Sequence, residues 1–320
     1  MRFEDWRDVP AETVAPLYDE ESRRWREALG WDLAPSWAIV EDARRAGRLP
    51  GLVARGDDGS LTGWSFYVLH EGVLQLGALN GQTAATVRGL LERAIESPEG
   101  RLARGFTGFL FPRSSSLSSA LERQRFLIAR HLYLAAPLGS TPGAEDRAGQ
   151  GSHGSEGAGL RPLSAVDPAD VVRLVARAYA GRPEARCFAP DGRLDQWAHY
   201  VGQLLATPAI GRYLPSASLV IAPPESKRPV GAVITTSLSS DTAHIAQVVV
   251  DPDCRRSGLA RQLLQAAAAG AREAGHDRLT LIVAESNEPA RALYARLGFL
   301  ATASFLYASR PSLTRRSSLL

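Results

Sequence analysis

His244-Ile-Ala-Gln-Val-Val-Val250, then Asp251-Pro252, then Arg255-Arg-Ser-Gly-Leu-Ala260 is the stretch on which the fold turns. The first run is β-branched and apolar, as a buried strand requires, and Asp-Pro stops it. Gly258 and Ala260 put small residues where a helix begins at Leu259. The first N–H groups of a helix have no intrahelical partners, and the aligned peptide dipoles put partial positive charge there, so the turn suits an anion. With no Cβ at Gly258 and one methyl at Ala260, a diphosphate reaches the backbone itself. An apolar strand over residues 279–284 follows, and then a short helix over 289–297 that Gly298 ends.

That last helix carries Asn287-Glu-Pro-Ala-Arg-Ala-Leu-Tyr294-Ala-Arg-Leu-Gly298-Phe299. A Gly turn alone is weak, because many helix starts hold one; two motifs in this order, each on the element it needs, are specific. Together they resemble the pyrophosphate loop and the Asn/Tyr helix of the GNAT (Gcn5-related) N-acetyltransferases. The resemblance covers residues 161–309 closely and residues 1–138 in outline. It implies an α/β fold of the α+β kind, two tandem GNAT-like domains, each a mostly antiparallel twisted sheet flanked by helices. It also implies acetyl transfer from acetyl-CoA to a primary amine.

A length of 320 residues suits about two domains, and a 45% hydrophobic share fills a core in each. No apolar run reaches the ~18 residues of a membrane span. The start, Met1-Arg-Phe-Glu-Asp-Trp6, lacks a signal peptide's apolar core, so a cytoplasmic protein without a membrane partner is expected. Cys187 and Cys254 are too few for a disulfide framework or a cysteine-based zinc site, and no metal is expected. The net charge is +3, with Lys227 the sole lysine, and no basic stripe interleaved with aromatics argues for nucleic acid.

In chain order, residues 13–28 read as a charged helix, followed by a Trp-bearing segment around Trp31 and Trp37. Residues 52–55 and 62–70 alternate as hairpin strands about Gly56-Asp-Asp-Gly59, and 73–79 add a third. A helix over 84–96, a strand over 105–111, a helix over 117–125 and a strand over 128–136 complete the first domain, residues 1–138. Residues 139–159, rich in Gly and Ser and without apolar periodicity, read as a flexible linker. The second domain, residues 160–310, opens on Asp167-Pro168 as cap and first turn. Helices over 171–180 and 194–205 and strands over 219–222, 230–238 and 300–309 surround the opening stretch, and residues 311–320 form a polar tail.

The element order of the two domains is the same, and a register can be counted. Val87-Arg-Gly-Leu-Leu91 mirrors Ala260-Arg-Gln-Leu-Leu264, and Phe126 mirrors Phe299, each 173 residues apart, which marks a duplicated fold. On that register Gln82 stands at Arg255, Ala85 at Gly258, Val87 at Ala260, Ser114 at Asn287 and Leu121 at Tyr294. Bulk replaces a small residue and a hydroxyl is gone, so this degenerate copy is expected to perform no transfer and instead to shape or cover the acceptor pocket. Five of the six tryptophans, Trp6, Trp25, Trp31, Trp37 and Trp64, lie in it, suiting an aromatic wall or a Trp-rich core.

By resemblance, the backbone N–H groups of Arg256, Ser257, Gly258, Leu259 and Ala260 hold the diphosphate, with Arg255 and Arg256 for charge-assisted contacts. Free backbone groups of Val248 and Val250, with Val249 between them, pair with the pantetheine arm, and an N–H near Val248 faces the thioester oxygen. Asn287 contacts the arm, and Tyr294, about two turns later, reaches the CoA sulfur as the acid for the departing thiolate. His244 stands where histone-acetylating relatives carry a glutamate base, and a reference pKa near ~6.5 suits the task. Glu285, at the exit of the next strand, competes for that role, as do water and an acceptor that arrives deprotonated. His199 and Tyr200 lie on a helix that borders the acceptor site in the family, where reading substrate and packing are both open. A tandem chain of this size resembles the mycothiol synthases, and a small-molecule amine is the expected acceptor. Protein N-terminal or lysine acetylation, and a non-catalytic acyl-CoA-binding sensor or scaffold, are the competing functions. Monomer and homodimer are both open.

Overall fold

A computed structural model describes residues 1–139, 159–165, 168–182, 185, 188–206, 211–223, 226 and 228–311. Most of the expected linker, the cap at Asp167, Lys227 and residues 312–320 of the tail lie outside the described residues. Pro311 does not belong to a tail, because it pairs within the last strand, opposite Gly105.

The first half runs β1 (Arg2–Asp5), α1 (Ala11–Leu29), α2 (Ala34–Arg45), β2 (Gly51–Arg55), β3 (Leu61–His70), β4 (Val73–Gly81), α3 (Ala84–Glu96), α4 (Pro98–Leu102), β5 (Gly105–Leu110), α5 (Ser116–Arg123) and β6 (Leu127–Pro137). The second runs β7 (Gly159–Pro162), α6 (Pro168–Tyr179), α7 (Leu194–Ala206), β8 (Arg212–Tyr213), β9 (Leu219–Ala222), β10 (Gly231–Ser237), β11 (Thr242–Val250), α8 (Leu259–Glu273), β12 (Arg278–Ala284), α9 (Glu288–Arg296) and β13 (Leu300–Pro311).

One mostly antiparallel sheet spans both halves in the order β1-β2-β3-β4-β5-β13-β6-β12-β11-β10-β9-β7, with β8 pairing β10. The halves exchange their last strands: residues 131–137 of β6 lie beside β12, and β13 lies beside β5. The two exchanged strands pair with each other at the middle, Phe305 opposite His131. Any surface laid across this middle is therefore built from both halves.

The duplication extends to the irregularities. β4 pairs β5 in parallel only over residues 73–76 with 105–108, and β11 pairs β12 only over 242–245 with 278–281. Beyond that point each pair diverges. In both halves the divergence follows a bulge, at Gly77 against Phe66 and Tyr67, and at Ala246 against Ile234 and Thr235. An extra residue on one strand bends it and increases its twist, which opens the split.

Period-two alternation divides the second half into two layers. Val233, Ala243 and Ile245 pack with Leu263, Leu264 and Ala267 of α8, while Ala232, Ile234 and Val249 pack with Val175 of α6 and Trp197 and Val201 of α7. Each such buried Val, Leu or Ile side chain contributes about 1.5–3 kcal/mol. In the first half, Leu90, Leu91 and Leu121 from α3 and α5 pack on one face, and Trp6, Trp64 and Tyr18 form a core on the other.

Candidate active site

The turn between β11 and α8 is shaped by two left-handed residues, Arg256 at φ +63° and Gly258 at φ +85°. Gly258 is the residue that precedes α8, and no side chain caps that helix. The N–H groups of Gly258, Leu259, Ala260 and Arg261 have no backbone acceptor among the described residues. Ser257 Oγ donates to the Cys254 carbonyl at 2.5 Å and tightens the turn. Four orphan donors at the positive end of a 15-residue helix make an anion cradle.

A cavity of about 580 Å³ opens at this turn, lined by Val250, Arg256, Gly258, Ala260, Arg261 and Arg296 among others. Arg255 lines it too, but its guanidinium donates to the Ala178 carbonyl at 2.8 Å and ties the turn to α6. Burial, and then the charge of Arg182, hold its pKa below the ordinary value. Arg261 and Arg296 are cationic groups that the sequence reading passed over. They come from helices that meet only in the fold.

A second cavity, of about 360 Å³, shares β11 and α9 as walls with the first. It lies where β11 parts from β12. Asp251 N–H donates to the Val230 carbonyl at 2.8 Å. Backbone groups alternate along a strand, so Val249 also faces β10, and Val248 and Val250 face the split. Asn287 precedes α9 and accepts from Ala290 N–H at 3.4 Å, and two turns on Tyr294 sits in the same cavity wall. The Tyr294 side chain is 7% exposed. Burial first, and the neighbouring Tyr179 second, push its pKa up, so the phenol keeps its proton.

His244 lines this cavity as well, nearly buried, with Tyr133 stacked at 6.0 Å and Trp31 at 5.6 Å. Its Nδ1 lies 2.9 Å from Thr280 Oγ1, and Thr280 donates its own hydroxyl to the Ala243 carbonyl at 3.1 Å. Thr280 therefore accepts from Nδ1–H, and Nε2 holds the lone pair. Burial pushes the His244 pKa down to about 3, far from the value expected of an exposed histidine. The ring is neutral at any working pH. Unfolding restores an ordinary histidine, which binds a proton as pH falls below 6.5, so this residue favours unfolding between that pH and about 3. Stability is thus present above pH 6.5 and lost below it; denaturant midpoints between pH 7 and pH 5 should fall less steeply in His244→Gln than in the parent chain.

Glu285 is not brought into the site. It is exposed, lines neither cavity, and faces Arg130 at 3.9 Å. Of the α7 pair, Tyr200 lines the second cavity and donates to Gln247 Oε1 at 2.8 Å, while His199 stacks on His70 at 5.1 Å away from it. Trp25, Trp31, Phe109 and His131 of the first half, with Phe305 of β13, complete the wall. The remaining Trp6, Trp37 and Trp64 pack in or against the core, so the tryptophans serve as wall and as core.

The first half has no such cradle. Gln82 and Thr83 alone separate β4 from α3, where residues 251–258 separate β11 from α8. Thr83 Oγ1 accepts from Thr86 N–H at 3.1 Å, which occupies the helix end, and Leu121 fills the place of Tyr294, fully buried. Among the described residues no group of three His, Cys, Asp or Glu could hold a metal, and no helix is long and apolar enough to cross a membrane.

Residues 183–299 match the Acetyltransferase (GNAT) family. A mycothiol acetyltransferase of Clavibacter sepedonicus is 32% identical over 293 residues, covering 89% of this chain and 83% of that protein. Two solved structures share the fold. A GCN5-related N-acetyltransferase from Sphaerobacter thermophilus has a TM-score of 0.66 at 18% identity, covering 97% of this chain and 95% of that one. A tandem GNAT protein from the clavulanic acid biosynthesis pathway has a TM-score of 0.63 at 16% identity, covering 97% and 98%. An uncapped helix end, a split beside it and a buried tyrosine in the split thus coincide with kinship over nearly the whole length, and the chain belongs to the GNAT family of acetyltransferases and is an acyltransferase.

Proposed function

We propose that the second half transfers the acetyl group of acetyl-CoA to a primary amine of a small molecule, and that the first half performs no transfer but walls the acceptor pocket. The observation that carries this reading is the Gly258 turn, with its orphan N–H groups, lying beside the split where Tyr294 and Asn287 stand, the two cavities sharing β11 and α9 as walls. The donor set suits a diphosphate followed by an extended amide-bearing arm. Gly258 to Arg261 N–H groups and the Arg256, Arg261 and Arg296 side chains hold the anion. Val248 and Val250 offer strand-like backbone partners to the arm.

Acetyl-CoA supplies a thioester, whose carbonyl an amine attacks and whose thiolate departs. The chain's part is to orient and to move protons. Val248 N–H is a fixed donor for an oxygen that gains negative charge, the preorganised kind of stabilisation. Tyr294 holds a proton at its hydroxyl for the thiolate. His244 offers Nε2 as an acceptor that orients an amine N–H. Its depressed pKa leaves the amine proton to water, or requires that the acceptor enter as the free base.

Similarity to a mycothiol acetyltransferase, and a cavity closed by the other half, support a small acceptor over a protein chain. Free-thiol release from acetyl-CoA across a panel of small amines tests the reading. Thiol release that requires an amine, one acetylated amine per thiol, is the expected result; tight acetyl-CoA binding without turnover on any amine or peptide would instead mark a sensor.

A further inference from the structure

On the side of β11 away from α8, one buried amide is tied to two helices. The bulge in β11 skips Ala246 in the register with β10, so that Ile245 stands opposite Thr235 and Gln247 opposite Ile234. Two successive side chains, Ala246 and Gln247, then point into the layer of α6 and α7, while Ile245 and Val248 pack toward α8. Gln247 is 6% exposed. Its Oε1 accepts from the Tyr200 hydroxyl of α7 at 2.8 Å, and its Nε2 donates to the Tyr179 hydroxyl of α6 at 3.0 Å and reaches the Val248 carbonyl at 3.5 Å. A carbonyl only accepts, so the NH2 end of the amide is the one that faces Val248 and Tyr179.

Both tyrosines are themselves fixed. Tyr179 stacks on Trp197 at 5.3 Å, and the Tyr200 ring lies 4.6 Å from that of Phe188. Arg255 donates to the carbonyl of Ala178, the residue before Tyr179, so the turn after β11 holds the same end of α6 that Gln247 holds. A bulge leaves a residue unpaired and the ladder locally disrupted. From Ala246 to Val248 the backbone has only β10 beside it, because the pairing with β12 stops at Ile245. The Gln247 amide supplies ties there that the ladder does not. Packing alone does not call for them: an amide and its hydroxyl partners replaced together by apolar groups of the same shape can be nearly neutral, whereas removing one partner alone is destabilising.

We propose that Gln247, held between Tyr179 and Tyr200, is a positioning residue that sets the bulged segment of β11 and with it the direction of the Val248 N–H toward the thioester oxygen. This rests on the acetyl-transfer reading of the site, in which that N–H is the donor for the oxygen.

The test reads the thioester carbonyl itself. Infrared difference spectra of the chain with acetyl-CoA isotopically labelled at its acetyl carbonyl carbon, against unlabelled acetyl-CoA, isolate the C=O stretch of the bound thioester, which falls as a hydrogen bond to its oxygen strengthens. The parent chain should hold the stretch below its value in water, and Gln247→Met should return it toward that value with acetyl-CoA affinity unchanged. In the steady state with an amine, kcat of Gln247→Met should fall by at least about tenfold and by no more than the ~10²–10³-fold that loss of a whole oxyanion donor costs. Tyr179→Phe and Tyr200→Phe, each of which keeps its ring, should lower kcat in the parent chain and have no further effect in the Gln247→Met background, where no amide remains to hold. A loss of packing alone would lower the unfolding midpoint in every background and leave the stretch where it is. A parent stretch at its value in water, an unmoved stretch or an unchanged kcat in folded Gln247→Met, or tyrosine effects that persist without the amide, overturns the proposal and leaves acetyl transfer standing. Absence of thiol release with every amine, in a parent chain that binds acetyl-CoA, overturns the transfer reading and this one with it. Tyr200→Phe, which removes one tie, decides the matter by the same stretch if Gln247→Met does not fold.

Discussion

Gly258→Asp should reduce acetyl-CoA affinity by about 100-fold or more, ~2.7 kcal/mol, in a chain that remains folded. A Cβ at this position meets nothing within 4 Å, so no packing is disturbed. The backbone sits at φ +85°, which an L-residue adopts at a cost of about 1–2 kcal/mol, aspartate being among those that tolerate it. That is small beside the ~5–15 kcal/mol that stabilises a domain. What changes is the occupant of the cradle: a carboxylate now stands at the positive helix end, where the diphosphate is expected. Calorimetric titration reads the loss, and circular dichroism confirms the fold.

Tyr294→Phe should lower kcat by about 10²–10⁴-fold, the range of a positioned general acid, with acetyl-CoA affinity nearly unchanged. The ring is buried against Phe299 at 5.9 Å, and phenylalanine preserves that contact. Only the hydroxyl is lost. A group that acts on the departing thiolate is felt in the transition state and not in cofactor binding, so kcat falls while affinity stays. An unchanged kcat would make Tyr294 a packing residue and leave the thiolate to solvent.

The turn and the short helix that the candidate site is built on were legible because they are local. Gly258, Asn287 and Tyr294 lie on one turn and one short helix, and their spacing alone says which backbone groups and side chains face one way. The register between the halves was legible too. It holds from the helix onward, where Leu90 and Leu91 are buried in α3 as Leu263 and Leu264 are in α8 (263 − 90 = 173), but not before it: the bulges at Gly77 and Ala246 correspond at 246 − 77 = 169, because the turn before α8 is longer than the one before α3.

The acceptor wall was not legible, because it depends on strand exchange. Phe109, His131 and Phe305 come from β5, β6 and β13, which adjoin only because each half gives its last strand to the other. No spacing within 320 residues encodes that choice over an unexchanged one. Helix α2 went unread: the residues around Trp31 and Trp37 read only as a Trp-bearing segment, whereas the helix starts at Ala34 with Pro35 in its first turn, where the missing N–H has no partner to lose. Burial was equally invisible. The His244 strand position suggested an ordinary histidine, whereas Trp31 and Tyr133, distant in sequence, enclose the ring and keep it neutral.

The measurement that bears most directly on the whole account is the stoichiometry of acetyl-CoA on the intact chain. Thr83 caps α3 in the first half while Gly258 leaves α8 open in the second, so calorimetry should give one site per chain, removed by Gly258→Asp. Two equivalent sites, or one site that survives Gly258→Asp in a folded chain, would contradict it.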